Sequence, residues 1–399
     1  MNEMENIYSI ETYIFEAKRE EYYLGPLLNG DILTSNGYLI RQFSKTIYPC
    51  NDRTVVIKVL TQNGLIGWGE TYGTVAPKVI AEFFNDIIIE YIRNKNLLEI
   101  EKIHDGLYQL MRVRGYWGGF WLDALAALDI ALCDIKAQKE NKSLSRLFSD
   151  KSVSKIEAYI SGLPGKEKNK RLKLAEKWID NGFSKLKIKL ESLVKSPSSI
   201  KTIRNEFKSL RRLFGNKIEI AIDMHWIKSV YQAKIICDEI EEFNPWFIEA
   251  PCLPEDIDGL KYICENTNIK IAVGEEWRTY YDANMRSKTG ISIMQPEIGH
   301  TGITEFLRIN KLAKKNNLSV IPHATISMGI FLKASLHLSS SLGIKCHEYQ
   351  HSIMERNKQY IDGDLNCSNG YYLINEVVGL GVIPSKYGKK FLTLMNICK

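Results

Sequence analysis

Long apolar runs are missing from this chain. No uninterrupted hydrophobic segment is long enough to span a bilayer, so no membrane partner is expected. The N-terminal residues are polar and acidic, with Glu3 and Glu5 and no basic stretch leading into an apolar one, and on that pattern no secretory signal is expected. Eight cysteines form neither a C-x-x-C pair nor a Cys/His zinc spacing; they read as scattered thiols in a reducing compartment, the cytoplasm. A Walker-type loop, a G-x-G-x-x-G and a G-x-S-x-G are all missing, which leaves nucleotide-dependent and serine-hydrolase chemistry without support. Charge is not one-sided either: 53 Lys+Arg stand against 47 Asp+Glu, a net +6. The lysines are spread out, with clusters at 166–173 and 185–189, so solvated helix faces explain them better than a nucleic-acid surface. What is left is an ordinary globular composition, 45% hydrophobic and 25% charged over 399 residues, enough for one barrel and a smaller domain.

Against that background one stretch organises the chain. Three short apolar runs each end in an acid: Ile220-Ala221-Ile222 in Asp223, Trp246-Phe247-Ile248 in Glu249, and Ile271-Ala272-Val273 through Gly274 in Glu275. The acids are equally spaced, 26 residues from each to the next (223, 249, 275). Such runs are too short for helices and read as strands buried on both faces. Helical patterns lie between them, through Ala233, Ile236 and Ile240 and then Tyr262 and Ile263. Strand, acid, helix at one period predicts a parallel βα barrel with its carboxylates converging at the C-terminal strand ends. Any one of these acids could simply cap the helix that follows. Three at matching strand ends favour a cation site, and hard oxygen donors without Cys or His among them suit Mg2+.

Upstream, Val55–Leu60 and Leu65–Glu70 around Asn63-Gly64 predict a β-hairpin. Residues 76–148 read as helical, with Leu125, Leu128, Leu132 and Ile135 giving the helix around 121–138 an apolar stripe. The first 145 residues thus form an α+β domain that includes an aperiodic tract, Glu21–Thr46, of the length that loops reach when they are functional. From Glu157 eight strand candidates follow, ending near Glu348, and the barrel is expected over 150–369. The tail must pack back, on the first domain.

Several residues at strand ends could carry chemistry. In Lys185-Leu186-Lys187-Ile188-Lys189, alternation puts Lys187 and Lys189 on one face. Alone, the run reads as a solvated basic stretch; one strand before the acids, it reads as two ammonium groups whose repulsion lowers a pKa and makes one of them a base. His323 follows Val320-Ile321-Pro322, and Glu297, one strand earlier, could orient its ring. The other histidines His104, His300, His337 and His347 read as structural. His225, two residues past Asp223, is either an acid for a leaving group or a supporting residue, and Glu348 closes the ring of strand ends. A cation on a substrate carboxylate, with Lys or His beside the α-carbon, is suited to removing the proton α to that carboxylate, because the cation stabilises the enediolate charge.

Gly64-Leu65-Ile66-Gly67-Trp68-Gly69-Glu70, the helix Ala127–Asp134, Lys187-Ile188-Lys189 and the three acids together resemble the enolase superfamily, mandelate racemase subgroup, over essentially the whole chain. The resemblance implies a modified (β/α)8 TIM-type barrel under an N-terminal α+β capping domain, completed by the tail 370–399. It implies Mg2+ at Asp223, Glu249 and Glu275, Lys189 as one base tuned by Lys187, and His323 as the opposite base. Glu348 matches the position that hydrogen-bonds the substrate carboxylate or enediolate, and 21–46 and Thr71–Val75 match the specificity loops. Glu297 departs from the family's usual Asp, a longer arm that changes how His323 is held. Asp223-Met224-His225 resembles the subgroup's acid-sugar dehydratases, in which such a His protonates the departing hydroxyl.

These readings converge on a Mg2+-dependent hydro-lyase for an aldonate or aldarate. The runner-up is a racemase, epimerase or cycloisomerase working through the same enediolate. A non-catalytic barrel would have lost a ligand or a base, and none is lost. The partners expected are a small carboxylate substrate and further copies of the same chain in a homo-oligomer, with no nucleic acid.

Overall fold

The computed structural model describes residues 4–23, 25–42, 44–165, 167–190, 200–226 and 229–399. Eight short parallel strands make the barrel: Lys155–Ser161, Lys185–Lys189, Glu219–Asp223, Ile248–Glu249, Ile271–Val273, Ile293–Met294, Ser319–Val320 and Cys346–Tyr349. Each pairs with the next through the seventh, and the eighth pairs with the first, Glu348 opposite Tyr159. Between the seventh and eighth the link is one bond, Glu348 N–H to the Pro322 carbonyl at 3.4 Å. Tyr159, Ala221, Phe247, Ala272, Ile293, Ile321 and Cys346 fill the barrel's inside, large residues beside small ones, so it is a packed core and not a pore.

The cap is a four-stranded antiparallel sheet, ordered Leu392–Cys398, Ile7–Ala17, Asp52–Thr61, Ile66–Tyr72, with helices on it. Its last two strands are the hairpin, turning at Gly64 with φ 86°. A Cβ on Gly67 would sit 2.2 Å from the Ala131 carbonyl oxygen and one on Gly69 2.0 Å from that of Ala127. Only glycines at these places let helix Gly119–Lys139 lie directly on the hairpin. That helix differs from the striped helix expected: it is buried all round, because helix Ile298–Lys315 of the barrel covers its other side.

Acids on this buried helix fasten it to the barrel and to the rest of the cap. Asp129 accepts the N–H groups of Ile303 (2.6 Å) and Thr304 (2.7 Å), where helix Ile298–Lys315 breaks at Gly302. Asp134 accepts the N–H of Trp68 (3.1 Å) and of Leu380 (2.8 Å). The tail is divided: Tyr371–Leu373 pairs with the first barrel strand, Val382–Pro384 with Ile361–Gly363, and Leu392–Cys398 with the cap sheet.

The aperiodic tract holds a small sheet, Ile32–Leu33, Tyr38–Ile40 and Ile47–Pro49. Strands of two or three residues leave no period to read. The order comes instead from buried Arg41, which donates to the carbonyls of Tyr23, Gly25 and Pro26 and to Asp31. No helix among the described residues is long and apolar enough to cross a membrane.

Candidate active site

The barrel's second to eighth strands each deliver a titratable residue at or just beyond their C-terminal ends: Lys187 and Lys189, Asp223, Glu249, Glu275, Glu297, His323 and Glu348. Register brings neighbours together, with Lys189 opposite Asp223 and Asp223 opposite Glu249. The chain then turns sharply away. His225 (φ 48°), Trp226 (φ 55°) and Ala250 (φ 45°) all lie in the left-handed region, which side chains rarely adopt and which is kept at functional sites. Gly274, at φ 137°, would clash with the Gln295 N–H if it carried a Cβ, so Glu275 is delivered by a turn only glycine can make.

Lys189, Asp223, His225, Glu275 and His323 border, from the barrel, a cavity of about 470 Å³, ample for a small molecule. Lys187, Glu249, Glu297 and Glu348 are buried and do not line it. Lys187 lies deeper and is fully buried; its ammonium bridges Glu249 (2.6 Å) and Glu348 (2.9 Å). Glu348 also accepts the Ala324 N–H (3.0 Å), and Gln295 donates to the other oxygen of Glu249 (2.7 Å). Nδ1 of His323 lies 3.0 Å from Glu297, whose longer arm reaches the ring; the dyad is formed.

The expected repulsion between the two lysines is not what governs them. Burial works against charge on Lys187, but Glu249 and Glu348 outweigh it and raise its pKa well above the ordinary value. Lys189 is also raised: burial opposes, Tyr23 and Asp223 favour the ammonium, and Lys187 subtracts less than they add. The correction has a simple cause, since acids outnumber ammonium groups here. His323 follows the same pattern, with burial opposed and overcome by Glu275, Glu348 and Glu297.

Glu249 shows the surplus of negative charge. Burial, and then Asp223, Glu348 and Glu275, push its carboxyl up to about 8 against the pull of Lys187. A divalent cation relieves such crowding, and the oxygens available fit Mg2+. The tightest group is Glu249, Glu275 and His323, one ligand atom of each within 4.8 Å of the others. Asp223 is not in that group; one of its oxygens accepts the His225 N–H at 2.8 Å.

Other wall residues were not singled out one by one in the sequence, although Tyr23 and Tyr72 fall within the expected specificity loops 21–46 and Thr71–Val75. His300, read as structural, lines the cavity, stacked 4.1 Å from Tyr72 and bonded to Asp123 at 2.7 Å. Arg278 grips the same carboxylate with two nitrogens (2.9 and 3.2 Å). Tyr23 and Tyr48 close the cavity from the cap. The pairs Tyr72–His300, His300–Asp123 and Arg278–Asp123 each join residues more than 150 positions apart, and nothing local marks such pairs. His104, His337 and His347 bond to Asp105, to the Leu380 carbonyl and to Ser335, away from the cavity.

A capped βα barrel with lysine, carboxylate and histidine at successive strand ends defines a class of enzyme that handles small carboxylates over a cation. Residues 46–149 match the family model "Mandelate racemase / muconate lactonizing enzyme, N-terminal domain", and residues 170–387 match "Enolase C-terminal domain-like". The chain belongs to the enolase superfamily, in its mandelate racemase family. Among solved structures it is similar to a member of the enolase superfamily from Agrobacterium tumefaciens, 42% identical, TM-score 0.93, covering 98% of this chain and 100% of that one. A protein from Sinorhizobium meliloti named as a candidate isomerase is 41% identical over 98% and 100%, TM-score 0.94. A racemase from Streptomyces coelicolor A3(2) with bound magnesium shares the fold at 20% identity over 97% and 100%, TM-score 0.80. Enzymes of this superfamily use Mg2+ and act on small-molecule carboxylate substrates.

Proposed function

We propose that this protein is a Mg2+-dependent sugar-acid dehydratase acting on an aldonate or aldarate. The observation that carries the reading is His225, which follows Asp223 on a strained turn and faces the cavity shared by Lys189 and His323. A racemase needs two bases; a dehydratase needs in addition an acid for the leaving group, and His225 supplies it.

In this reading Asp223, Glu249 and Glu275 hold Mg2+. The cation, when bound, polarises the substrate carboxylate and spreads the charge that develops on it. Lys189 or His323 takes the C2 proton from its neutral form, which becomes accessible when a bound cation offsets the acids that otherwise keep both protonated; Glu297 holds His323 by its Nδ1. Lys187 stays charged between Glu249 and Glu348 and fixes both. By the family resemblance Glu348 would hydrogen-bond the substrate carboxylate or enediolate; it is buried and held by Lys187 and the Ala324 N–H. Loss of the C2 proton leaves its electron pair delocalised into the carboxylate as an enediolate; that pair then forms the C2=C3 bond as C3–O breaks, and the hydroxyl leaves as water with a proton from His225. The enol then ketonises to a 2-keto-3-deoxy acid.

Incubation with a panel of aldonates and aldarates plus Mg2+, assayed for 2-keto-3-deoxy acids, tests this. Lack of turnover across the whole panel overturns it. A second reading, racemase, epimerase or cycloisomerase, is supported by Lys189 and His323 lining one cavity from strands three apart around the ring. Names of solved relatives range from isomerase to dehydratase. Exchange of the C2 proton with solvent deuterium, without release of a keto acid, would select that second reading. We further propose the partition into a cap, 1–145 completed by 370–399, although Tyr371–Leu373 of that tail also pairs with the first barrel strand, and a barrel, 150–369, and a homo-oligomeric cytoplasmic enzyme.

A further inference from the structure

Two tyrosines of the cap's N-terminal tract descend on the barrel mouth side by side. Their ring centroids are 5.1 Å apart. The Tyr23 hydroxyl lies 3.2 Å from the Lys189 ammonium, and the Tyr48 hydroxyl 2.7 Å from Nε2 of His225. Lys189 and His225 flank Asp223, one on the preceding strand and one just past it. Arg41 ties the pair to one fold: it donates to the Tyr23 carbonyl through its guanidinium and to the Thr46 carbonyl through its N–H. Arg19 lies over the Tyr23 ring, 4.9 Å from its centroid.

A phenol hydroxyl is both donor and acceptor. It accepts from an ammonium or imidazolium N–H, and after that proton has left it donates to the nitrogen lone pair. Such a partner holds a proton-transfer group in one orientation before and after the transfer, which a purely accepting or apolar neighbour does not do. Orientation matters, because misplacement of a reacting group by about an ångström costs on the order of 100-fold in rate.

We propose that Tyr23 and Tyr48 are positioning residues with divided labour: Tyr23 aligns Lys189 for the step at C2, and Tyr48 aligns His225 for protonation of the departing hydroxyl. The division rests on the dehydratase reading above; the two contacts themselves do not. It also ties both proton-transfer groups to the seating of one tract of the cap.

The test compares Tyr48→Phe and Tyr23→Phe with the wild type, following C2 hydrogen–deuterium exchange and keto-acid formation on the same substrate, with thermal midpoints to check folding. Tyr48→Phe should lose about 10- to 100-fold in elimination while exchange stays within roughly threefold, so their ratio rises. Tyr23→Phe should lower both together. Loss of a fold-stabilising contact would depress both rates in either variant and leave the ratio unmoved. If Tyr48→Phe eliminates at the wild-type rate, or loses exchange and elimination in parallel, the division of labour is wrong. A wild type that exchanges but never eliminates sinks the dehydratase reading, and the role of His225 as leaving-group acid with it. The contact is then judged alone by the ¹⁵N shift of His225 Nε2, identified with His225→Gln. Tyr48→Phe should move that resonance, and an unmoved one overturns the proposal whatever the reaction.

Discussion

Glu70, on the cap hairpin, places its carboxylate 2.9 Å from the N–H of Ile330, the first residue of barrel helix Ile330–Leu342. The same carboxylate accepts the N–H groups of Met328, Gly329 and Phe331 and the hydroxyls of Thr54 and Ser327. A helix N-terminus has orphan donors and a positive dipole end, and here the other domain satisfies them.

Glu70→Ala leaves those buried donors without an acceptor and should cost about 3 kcal/mol or more. Glu70→Gln keeps one acceptor and should lose less. Urea unfolding of both variants checks the order; equal stabilities would show that the carboxylate does not hold the domains together.

Asp134 gives a pH dependence independent of the catalytic groups. Burial pushes its carboxyl up to about 6, despite bonds from Gln138, Leu380 and Trp68. The folded chain therefore keeps this proton to a higher pH than the unfolded chain, which releases it near 4. The resulting stability is present below that range, falls as pH rises, and is gone above about 6, a change on the order of 3 kcal/mol. Asp134→Asn does not titrate, so its stability should fall less between pH 4 and 6. Unfolding free energies of both proteins across that range decide it; parallel slopes would refute the assignment.

Mg2+ should raise the thermal midpoint of the wild type, and chelation should reverse the effect. Saturation to about 100 times the dissociation constant corresponds to roughly 2.7 kcal/mol. Glu249→Gln and Asp223→Asn should each abolish most of the Mg2+ response. Calorimetric titration reads this without any substrate, and an undiminished response in Asp223→Asn would confine the site to Glu249, Glu275 and His323.

Glu297→Gln keeps the size of the side chain but removes the charge facing His323. Steps that use His323 should slow about 10- to 100-fold with little change in KM, as for loss of a supporting carboxylate. Steady-state kinetics on the substrate found by the panel check it, and a change confined to KM would place Glu297 in binding instead.

The barrel was legible because its information is local. Each of Asp223, Glu249 and Glu275 ends a short apolar run within its own unit, and the even spacing repeats that unit along the chain. Gly67 and Gly69 were visible as a motif, yet their reason, the backbone of Ala127 and Ala131 pressed against them, lies in another element. The small sheet at 32–49 escaped because its strands are shorter than any period.

By itself the sequence determined the strand–acid–helix repeat, hence the parallel barrel and which residues stand at its strand ends, since strand periodicity and turn chemistry act over a few residues. Only the tertiary structure decided the state of those side chains. Lys187 stays charged because acids from the fourth and eighth strands meet on it, and the walls come from Asp123, Arg278 and His300, brought together across both domains. Electrostatic environment depends on distance in space, and a chain that folds back on itself leaves no periodic trace of which distant charges will become neighbours.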